Sequence, residues 1–333
     1  LNFSIQIYNY FVKKLPSKLL VLAYNEQRNI EETINDIDNL FDEIIVVDDC
    51  SSDETSQILT LLTKVNKKIK IFTNKKNLGP GKSMDIGIKE ALKSPFDYLV
   101  KVDGDNQFDK EDIENMLALG KERSADFIKC DRFWDGGVSG DMPKIRYFGN
   151  SLASLLIKLL TGNQKINDPL NGLFLFSENV CKNINIPKLF NRYGYPFYIN
   201  AYISALNIGQ KYKLFQYHNK INYGLEESKL NPIVVLLKLM YFSFSFFLKT
   251  IKKKLRFSSH QLSGLIDIIA VFSLIFSFFS LFMVINTRFL GYSGNQGAWA
   301  LLFALFFITS FVLLFQSQKI LKNINKKDFE YLN

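Results

Sequence analysis

Short apolar segments alternate with amphipathic helical patterns over the first 130 residues of the chain. The apolar segments lie at residues 19–23, 43–49, 68–73, 98–102 and 126–130, and the helical patterns at residues 29–40, 82–93 and 110–119. Between the second and third segments, Ser51 and Glu54 have the spacing of a capping box that would open a further helix towards Leu62. Strands that alternate with helices predict parallel βαβ units with right-handed crossovers, and hence an α/β fold.

The last third of the chain carries two long runs without charge, residues 268–287 and a second run that contains residues 298–315. Each is about long enough to cross a hydrocarbon core of roughly 30 Å as a helix. Two helices of a soluble core would give the same runs, but core helices seldom stay apolar all round for so long. Basic residues precede the first run and follow the second, whereas the connection carries only Arg288. The positive-inside rule therefore predicts a transmembrane hairpin with both ends in the cytoplasm.

The stretch at residues 231–249 is apolar but interrupted by Lys238, and it precedes a cluster of five basic residues at 248–256. If this stretch were a third transmembrane span, either the basic cluster or the α/β domain would have to lie outside the cell. A helix lying on the membrane surface, with the basic cluster near anionic headgroups, is the favoured interpretation.

The chain thus divides into five expected regions. We expect an N-terminal extension whose start is trimmed (1–17, opening on Leu1), the α/β domain (18–228), interfacial and juxtamembrane helices (229–260), the hairpin (261–320) and a cytoplasmic tail (321–333).

Composition narrows the functional classes. Lys and Arg number 41 against 32 Asp and Glu, a formal net charge of +9, which suits phosphates, nucleic acid or an anionic membrane surface. No RNP, zinc-finger or helix-turn-helix pattern supports nucleic acid. The three cysteines are scattered without a C-x-x-C pair, which argues against zinc and disulfides and suits a reducing compartment. With two histidines in the chain, a histidine-based catalytic triad is not expected.

Polar motifs follow each of the first four predicted strands: "YNE", "DDCSSD", "NLGPGKS" and "DGDNQ". In parallel α/β sheets ligands bind beyond the carboxyl ends of the strands, so these motifs are expected to share one rim. "NLGPG" lacks both the G-K-[ST] ending of a P-loop and the dinucleotide fingerprint. "DGDN" is either an ordinary turn or a cation site in which Asp103 and Asp105 supply hard oxygen ligands.

Seven motifs in this order resemble the inverting glycosyltransferases of family 2. They are "AYNEQRNI", "VVDDCSSDET", "NLGPGKSMDIG", "VKVDGDNQF", "KCDRFWDGG", "NDPLNGLFLF" and "EESKL". The nearest branch is similar to the polyprenyl-phosphate, or dolichol-phosphate-mannose-synthase-like, enzymes. The resemblance implies a GT-A fold (a Rossmann-like domain with a mostly parallel sheet) followed by interfacial helices and two transmembrane helices. It implies a hexosyltransferase in the cell membrane, with its catalytic domain in the cytoplasm.

The resemblance also implies a role for particular residues. Asp103, Asp105 and Gln107 would bind Mg²⁺ or Mn²⁺, and the ion would act as a Lewis acid for the diphosphate leaving group. The nucleotide-sugar donor would be bound by Tyr24, Glu26, Asp48 and Asp49 at its base and ribose, and by Arg132 and Arg146 at its phosphates, because a guanidinium fork suits oxyanions. For Arg146 a surface salt bridge is the competing interpretation. Asp168 would lie near the acceptor, unless it only initiates an Asp-Pro turn.

The implied acceptor is a polyprenyl (undecaprenyl or dolichyl) phosphate, which is ionised near neutral pH and needs no general base. We expect it to enter between the membrane-surface helix and the rim, past residues 151–162, Arg146 and Lys229. The family's acceptor loop is only partly kept, since Tyr223 replaces its arginine and Glu226 its glycine.

Two alternatives remain open from the sequence. One is a transferase with a saccharide hydroxyl acceptor in surface-glycan assembly, using a carboxylate such as Asp168 as base. The other is a catalytically silent membrane scaffold. The absence of a Q-x-x-R-W motif argues against polymerisation. The expected partners are the nucleotide diphosphate-sugar, the lipid phosphate and the bilayer, without nucleic acid, and a homo-oligomer is left open.

Overall fold

The computed structural model describes residues 16–133, 144–161, 163, 165–206, 212–219, 232–290, 294–324 and 330–332. The described residues form one sheet of eight strands, in the order β3-β2-β1-β4-β6-β5-β7-β8. Strand β6 runs antiparallel to both of its neighbours, and every other pairing is parallel. The mostly parallel sheet predicted from the sequence is confirmed.

The strands are β1 (Ser17–Ala23), β2 (Glu43–Asp48), β3 (Ile69–Thr73), β4 (Tyr98–Asp103), β5 (Phe127–Asp131), β6 (Phe174–Ser177), β7 (Leu214–His218) and β8 (Glu330–Leu332). The helices are α1 (Ile30–Ile37), α2 (Thr55–Val65), α3 (Pro80–Ala91), α4 (Lys110–Arg123), α5 (Lys144–Thr161), α6 (Glu178–Asn183), α7 (Tyr195–Leu206), α8 (Pro232–Arg256), α9 (Gln261–Phe289) and α10 (Gln296–Ile324).

Both faces of the sheet are covered, which explains why the central strands read as continuous apolar runs. Along β1, Leu19 and Val21 point into one hydrophobic cluster while Leu20 and Leu22 point into the other. All four are buried. Because each residue is buried on one side or the other, the alternation that marks a half-exposed strand is absent from the sequence.

The capping box expected at Ser51 and Glu54 is wrong. Helix α2 begins at Thr55, and Glu54 at its N-cap makes no side-chain cap bond. The Ser51 hydroxyl instead donates to Asp48 Oδ1 at 2.6 Å. The Ser51 hydroxyl, which the capping box would use at the start of the helix, is thus bound to the carboxylate of Asp48 at the end of β2.

Helix α8 has one face in the domain core and one apolar face outside it. Leu239, Phe242 and Phe246 are buried in the domain core, in the cluster that also holds Phe190 and Phe197. On the other side Val234, Leu237, Met240, Tyr241, Phe244 and Leu248 are exposed. An apolar face of this size, on a helix fixed to the domain, is what a membrane-surface helix requires.

Among the described residues, two helical segments are long and apolar enough to cross a membrane, Ser258–Phe289 and Gln296–Leu321. Helix α8 is not one of them. Serines of α9 face α10: the Ser263 and Ser317 hydroxyls lie 2.7 Å apart, and Ser273 donates to the Phe306 carbonyl at 2.8 Å. Small polar residues allow close approach of helices in an apolar environment.

The chain returns to the α/β domain after the hairpin. Strand β8 lies in the region predicted to be a cytoplasmic tail, and it pairs in parallel with β7 at the edge of the sheet. Helix α8, which precedes the hairpin, also packs on the α/β domain. Both ends of the α9–α10 hairpin therefore connect to this domain, as a membrane hairpin with both ends on one side of the bilayer requires.

Candidate active site

The polar motifs of the sequence meet at the carboxyl ends of β1, β2 and β4. Strand β1 lies between the other two, and its residues Leu22 and Ala23 pair with Asp103 and Asp48 respectively. Tyr24 and Glu26 follow directly after β1. The register therefore brings the motifs after the first, second and fourth strands to one rim.

The turn after Asp103 is built around Gly104. The Gly104 N–H donates to the Leu22 carbonyl at 2.9 Å, which ties the turn to the end of β1. A Cβ at position 104 would lie 2.9 Å from Ile30 Cδ1 and 3.4 Å from Glu26 Cγ, so a side chain does not fit there without displacement. Glycine between the two aspartates thus lets the turn pack against the start of α1 and against Glu26.

Asp103 is paired with a buried lysine from its own strand. Lys101 Nζ lies 2.6 Å from Asp103 Oδ1, and the lysine side chain is fully buried whereas that of Asp103 is 34% exposed. Gly172 closes the other side of the pair, since a Cβ there would stand 2.8 Å from Asp103 Oδ2. Tyr195 is also close, and burial together with the charges of Asp103 and Asp105 raises the pKa of its hydroxyl well above the ordinary value.

The structure places Asp48 and Asp49 as internal anchors of the rim. Asp48 accepts from the Ser51 N–H and hydroxyl through Oδ1 and from the Ser56 hydroxyl through Oδ2. Asp49 accepts from Asn74 Nδ2 at 2.7 Å and from the Gly-rich loop, whose Leu78 and Gly79 N–H groups donate at 2.8 and 2.7 Å. Two N–H groups of "NLGPG" therefore bind a carboxylate of the protein itself.

Arg132 and Asp168 form a buried bidentate pair. Arg132 Nε donates to Asp168 Oδ2 and Nη2 donates to Oδ1, each at 2.6 Å. The Arg132 backbone N–H reaches Oδ2 at 3.2 Å, and Asp168 is fully buried. The Asn171 N–H donates to the Asp168 carbonyl at 3.2 Å, so the turn suggested by "NDPLN" is present as well. Arg132 was expected at the donor phosphates and Asp168 near the acceptor, but in the structure the two side chains bind each other.

The remaining predicted residues divide into those at the rim and those outside the described part. Tyr24 is 46% exposed at the end of β1, and the Glu26 N–H donates to Thr55 Oγ1 at 2.8 Å. Gln107 is partly buried, and its N–H lies 3.4 Å from Asp105 Oδ1. Arg146 lies in α5, but its side chain is outside the described part, as is the whole of Lys229.

The oxygen donors at the turn fit a hard divalent ion only in part. Within the described residues no group of three or more His, Cys, Asp or Glu side chains is placed to hold a metal. Two carboxylates and one amide oxygen, from Asp103, Asp105 and Gln107, have the chemistry that Mg²⁺ and Mn²⁺ prefer. Such a short protein ligand set is suited to an ion that completes its coordination with phosphate oxygens of a substrate.

Two contributors to this site were missed from the sequence. Lys101 interrupts the otherwise apolar strand "YLVKV", and a charged residue at a fully buried strand position was the available signal. Gly172 follows the "NDPLN" turn, and no local pattern indicates that its missing side chain makes room for a carboxylate on another strand.

Comparison with known proteins identifies this part of the chain. The family model Glycosyl transferase family 2 matches residues 19–184. An uncharacterized protein of Methanocaldococcus jannaschii is 32% identical over 142 residues, a match that spans 42% of this chain and 60% of that protein. A UDP-N-acetylglucosamine–dolichyl-phosphate N-acetylglucosaminyltransferase of Methanococcus voltae is 28% identical over 209 residues, 59% of this chain and 80% of that protein.

The fold has a counterpart among solved structures. The glucosyl-3-phosphoglycerate synthase of Mycobacterium tuberculosis superposes with a TM-score of 0.50 at 15% identity, over 75% of this chain and 84% of that one. At that identity the similarity concerns the fold alone. The predicted GT-A fold is confirmed, and residues 19–184 of this chain match the Glycosyl transferase family 2 model.

Proposed function

We propose that this protein is a membrane-bound inverting hexosyltransferase that moves a sugar from a nucleotide diphosphate-sugar to a polyprenyl phosphate. The donor class follows from the family 2 domain. The dolichyl phosphate in the name of the Methanococcus voltae relative, which aligns with 59% of this chain, supports a lipid phosphate as acceptor. Helix α8 and the hairpin support a catalytic domain held at the cytoplasmic face of the cell membrane.

The observation that carries the choice of acceptor is the state of three rim carboxylates. Asp48, Asp49 and Asp168 each use both carboxylate oxygens to accept hydrogen bonds from the protein. A saccharide hydroxyl needs a general base to remove its proton, and a carboxylate that is engaged at both oxygens is poorly placed for this task. An ionised phosphate attacks the anomeric carbon without a base.

The chain's own residues have defined tasks in this mechanism. Asp103, Asp105 and Gln107 would hold Mg²⁺ or Mn²⁺, which when bound would offset the charge on the departing diphosphate. Tyr24 and Glu26, which follow β1 at the rim, would bind the base and ribose of the donor. Asp48 and Asp49 hold that end of the rim through their hydrogen bonds to Ser51, Ser56 and the Gly-rich loop. Asp168 fixes the fork of Arg132, and Arg132 is the residue to which the family resemblance gives the donor phosphates.

The test is transfer with matched acceptors. Purified protein in detergent is incubated with a panel of nucleotide sugars and with polyprenyl phosphate, the corresponding uncharged polyprenol, or a soluble saccharide. We expect glycolipid from the phosphate only. Product formed on the saccharide, or equally on polyprenol and its phosphate, would show that the acceptor is a hydroxyl and contradict the proposal.

Lys229 gives a second arm of the same test. If its ammonium binds the acceptor phosphate, Lys229→Ala should lower kcat/KM for polyprenyl phosphate by about ten- to a hundredfold, the loss of one charged hydrogen bond of roughly 1.5–3 kcal/mol. Hydrolysis of the nucleotide sugar by water should be spared because the donor contacts are unchanged. Transfer at the wild-type rate would remove Lys229 from the acceptor site.

A further inference from the structure

Three lysines on strands β1, β4 and β5 of the sheet are fully buried, and one of them differs from the other two. Lys18 on β1 donates to the carbonyls of Ala91 and Ser94, at 2.9 and 3.1 Å. Lys129 on β5 donates to the carbonyls of Cys130 and Asn167. These two ammonium groups donate to neutral oxygens, which offsets the cost of burying them, and Lys18 Nζ in addition lies 3.4 Å from Glu43 Oε2.

Lys101 on β4 has no such neutral acceptor among the described residues. Its Nζ makes no hydrogen bond there, and the contact it has is the ion pair with Asp103 Oδ1 at 2.6 Å. The ring of Tyr195 lies 5.5 Å from the same nitrogen. Gly172 covers the pair, since a Cβ at that position would be 3.1 Å from Lys101 Nζ and 2.8 Å from Asp103 Oδ2.

We propose that Lys101 is an internal counter-ion of the metal-binding carboxylate. It holds Asp103 in place, weakens the binding of a free divalent ion, and attracts the diphosphate of the donor. The protein then takes up metal chiefly together with the donor, whose phosphate oxygens supply both charge and ligands. This inference rests on the proposed use of a nucleotide diphosphate-sugar, but not on the identity of the acceptor.

The charge count at the rim explains the expected direction. Asp103 and Asp105 together carry two negative charges, and Lys101 offsets one of them at contact distance from Asp103. Coulomb repulsion between a unit charge and a divalent ion a few ångströms apart exceeds 1.4 kcal/mol even at an effective dielectric constant of about 20, and about 1.4 kcal/mol corresponds to a tenfold change in affinity. Removal of the Lys101 charge should therefore tighten the binding of free Mn²⁺ by about tenfold or more.

The same change should act on the nucleotide in the opposite direction. A diphosphate loses one attracting cation, although a more distant one, so we expect UDP to bind about threefold more weakly in the absence of metal. Damage to the fold would weaken both ligands. Opposite changes for cation and anion are therefore the signature of a charge effect.

The experiment measures two dissociation constants on the purified protein. Mn²⁺ binding without nucleotide is followed by the electron paramagnetic resonance signal of the free ion, and UDP binding in EDTA by calorimetry. The variants are Lys101→Met and the polar, uncharged Lys101→Gln, which provides a second reading if the methionine variant does not fold. Lys18→Met is the matched control for a buried lysine away from the turn, and Asp105→Asn reports whether Mn²⁺ binds at the expected carboxylates.

We expect both Lys101 variants to bind Mn²⁺ more tightly and UDP more weakly, with both constants unchanged within about twofold in Lys18→Met. Mn²⁺ affinity that is unchanged or reduced in the Lys101 variants would overturn the inference. If Asp105→Asn leaves the dissociation constant for Mn²⁺ unchanged, both the assignment of the metal to these carboxylates and the inference about Lys101 are overturned. Failure of the lipid phosphate as acceptor would leave these constants unaffected, so the two proposals fail separately.

Discussion

The pair between Arg132 and Asp168 offers a sharp test of how the site is held together. Asp168 has a φ of +43°, a left-handed conformation that asparagine tolerates better than most residues. Asp168→Asn therefore keeps the size and the backbone preference of the side chain and removes its charge. The guanidinium of Arg132, on a residue that is 9% exposed, is left without its counter-ion.

The magnitude follows from the burial and geometry of the pair. Arg132 Nε and Nη2 each lie 2.6 Å from an Asp168 oxygen, and the side chains of arginine and aspartate are 11% and 0% exposed. Removal of one partner from such a buried pair destabilises a protein by about 3–5 kcal/mol, because an uncompensated charge remains. At about 2–4 °C per kcal/mol for a domain of this size, the Tm of Asp168→Asn should fall by about 6–20 °C.

Thermal unfolding followed by intrinsic fluorescence in one fixed detergent measures this change. Asp36→Asn, at an exposed position of α1, is the matched control and should shift the stability by no more than about 0.5 kcal/mol. The cycle with Arg132→Met should give a double variant that is more stable than the sum of the single effects predicts. A Tm of Asp168→Asn within 1 °C of wild type (roughly the measurement error), or strictly additive effects, would refute the argument.

Three further predictions concern the rim, the juxtamembrane contact and the topology. Cys50 is partly exposed after β2, whereas burial raises the pKa of the thiols of Cys130 and Cys181, so iodoacetamide should label Cys50 first. Saturating UDP should slow the labelling of Cys50, and a labelling rate that UDP does not change would contradict a donor site there. Lys254 Nζ lies 2.6 Å from Asp267 Oδ2 with both side chains buried, so Lys254→Met should destabilise the packing of α8 on α9 by about 3–5 kcal/mol, and adding Asp267→Asn should restore part of the lost Tm. In a Cys50→Ser background, an impermeant thiol reagent applied to intact cells should label a cysteine at Gln296 and not one at Lys64, and the reverse pattern would overturn the hairpin orientation.

Much of the fold was accessible from the sequence because its signals are local. Apolar runs in β1, β2 and β4 are buried on both faces, and the motifs that follow them fall at one rim because parallel strands end together. Strand β7, the antiparallel β6 and the edge strand β8 were not predicted. Strand direction depends on long-range pairing, and β8 is a three-residue segment whose pairing partner lies more than 100 residues away in the chain.

The sequence suggests which residues form the site but not how these residues contact one another. The order of motifs predicts that Asp48 and Asp49 lie at the rim, and the family resemblance implies that Asp168 belongs to the site. Whether each carboxylate faces a ligand or a protein donor depends on which N–H and hydroxyl groups the fold brings to it. The Gly79 N–H bound to Asp49 is an example, because it joins the ends of two motifs 30 residues apart. Sequence spacing carries no information on that distance.

The family pattern implies ligand contacts for Arg132 and Asp168, whereas in the structure these two residues contact each other. A motif records which residue types a site needs, and both a ligand contact and a contact between site residues impose such a need. Arg132 and Asp168 satisfy each other with bidentate geometry, so either would be required even if only one of them meets the substrate. Asp103 is the contrasting case, since it keeps a third of its side chain exposed while Lys101 neutralises it from below. Compared with Asp48, Asp49 and Asp168, Asp103 is thus the carboxylate whose partial exposure and buried counter-ion suit the arrival of a charged ligand.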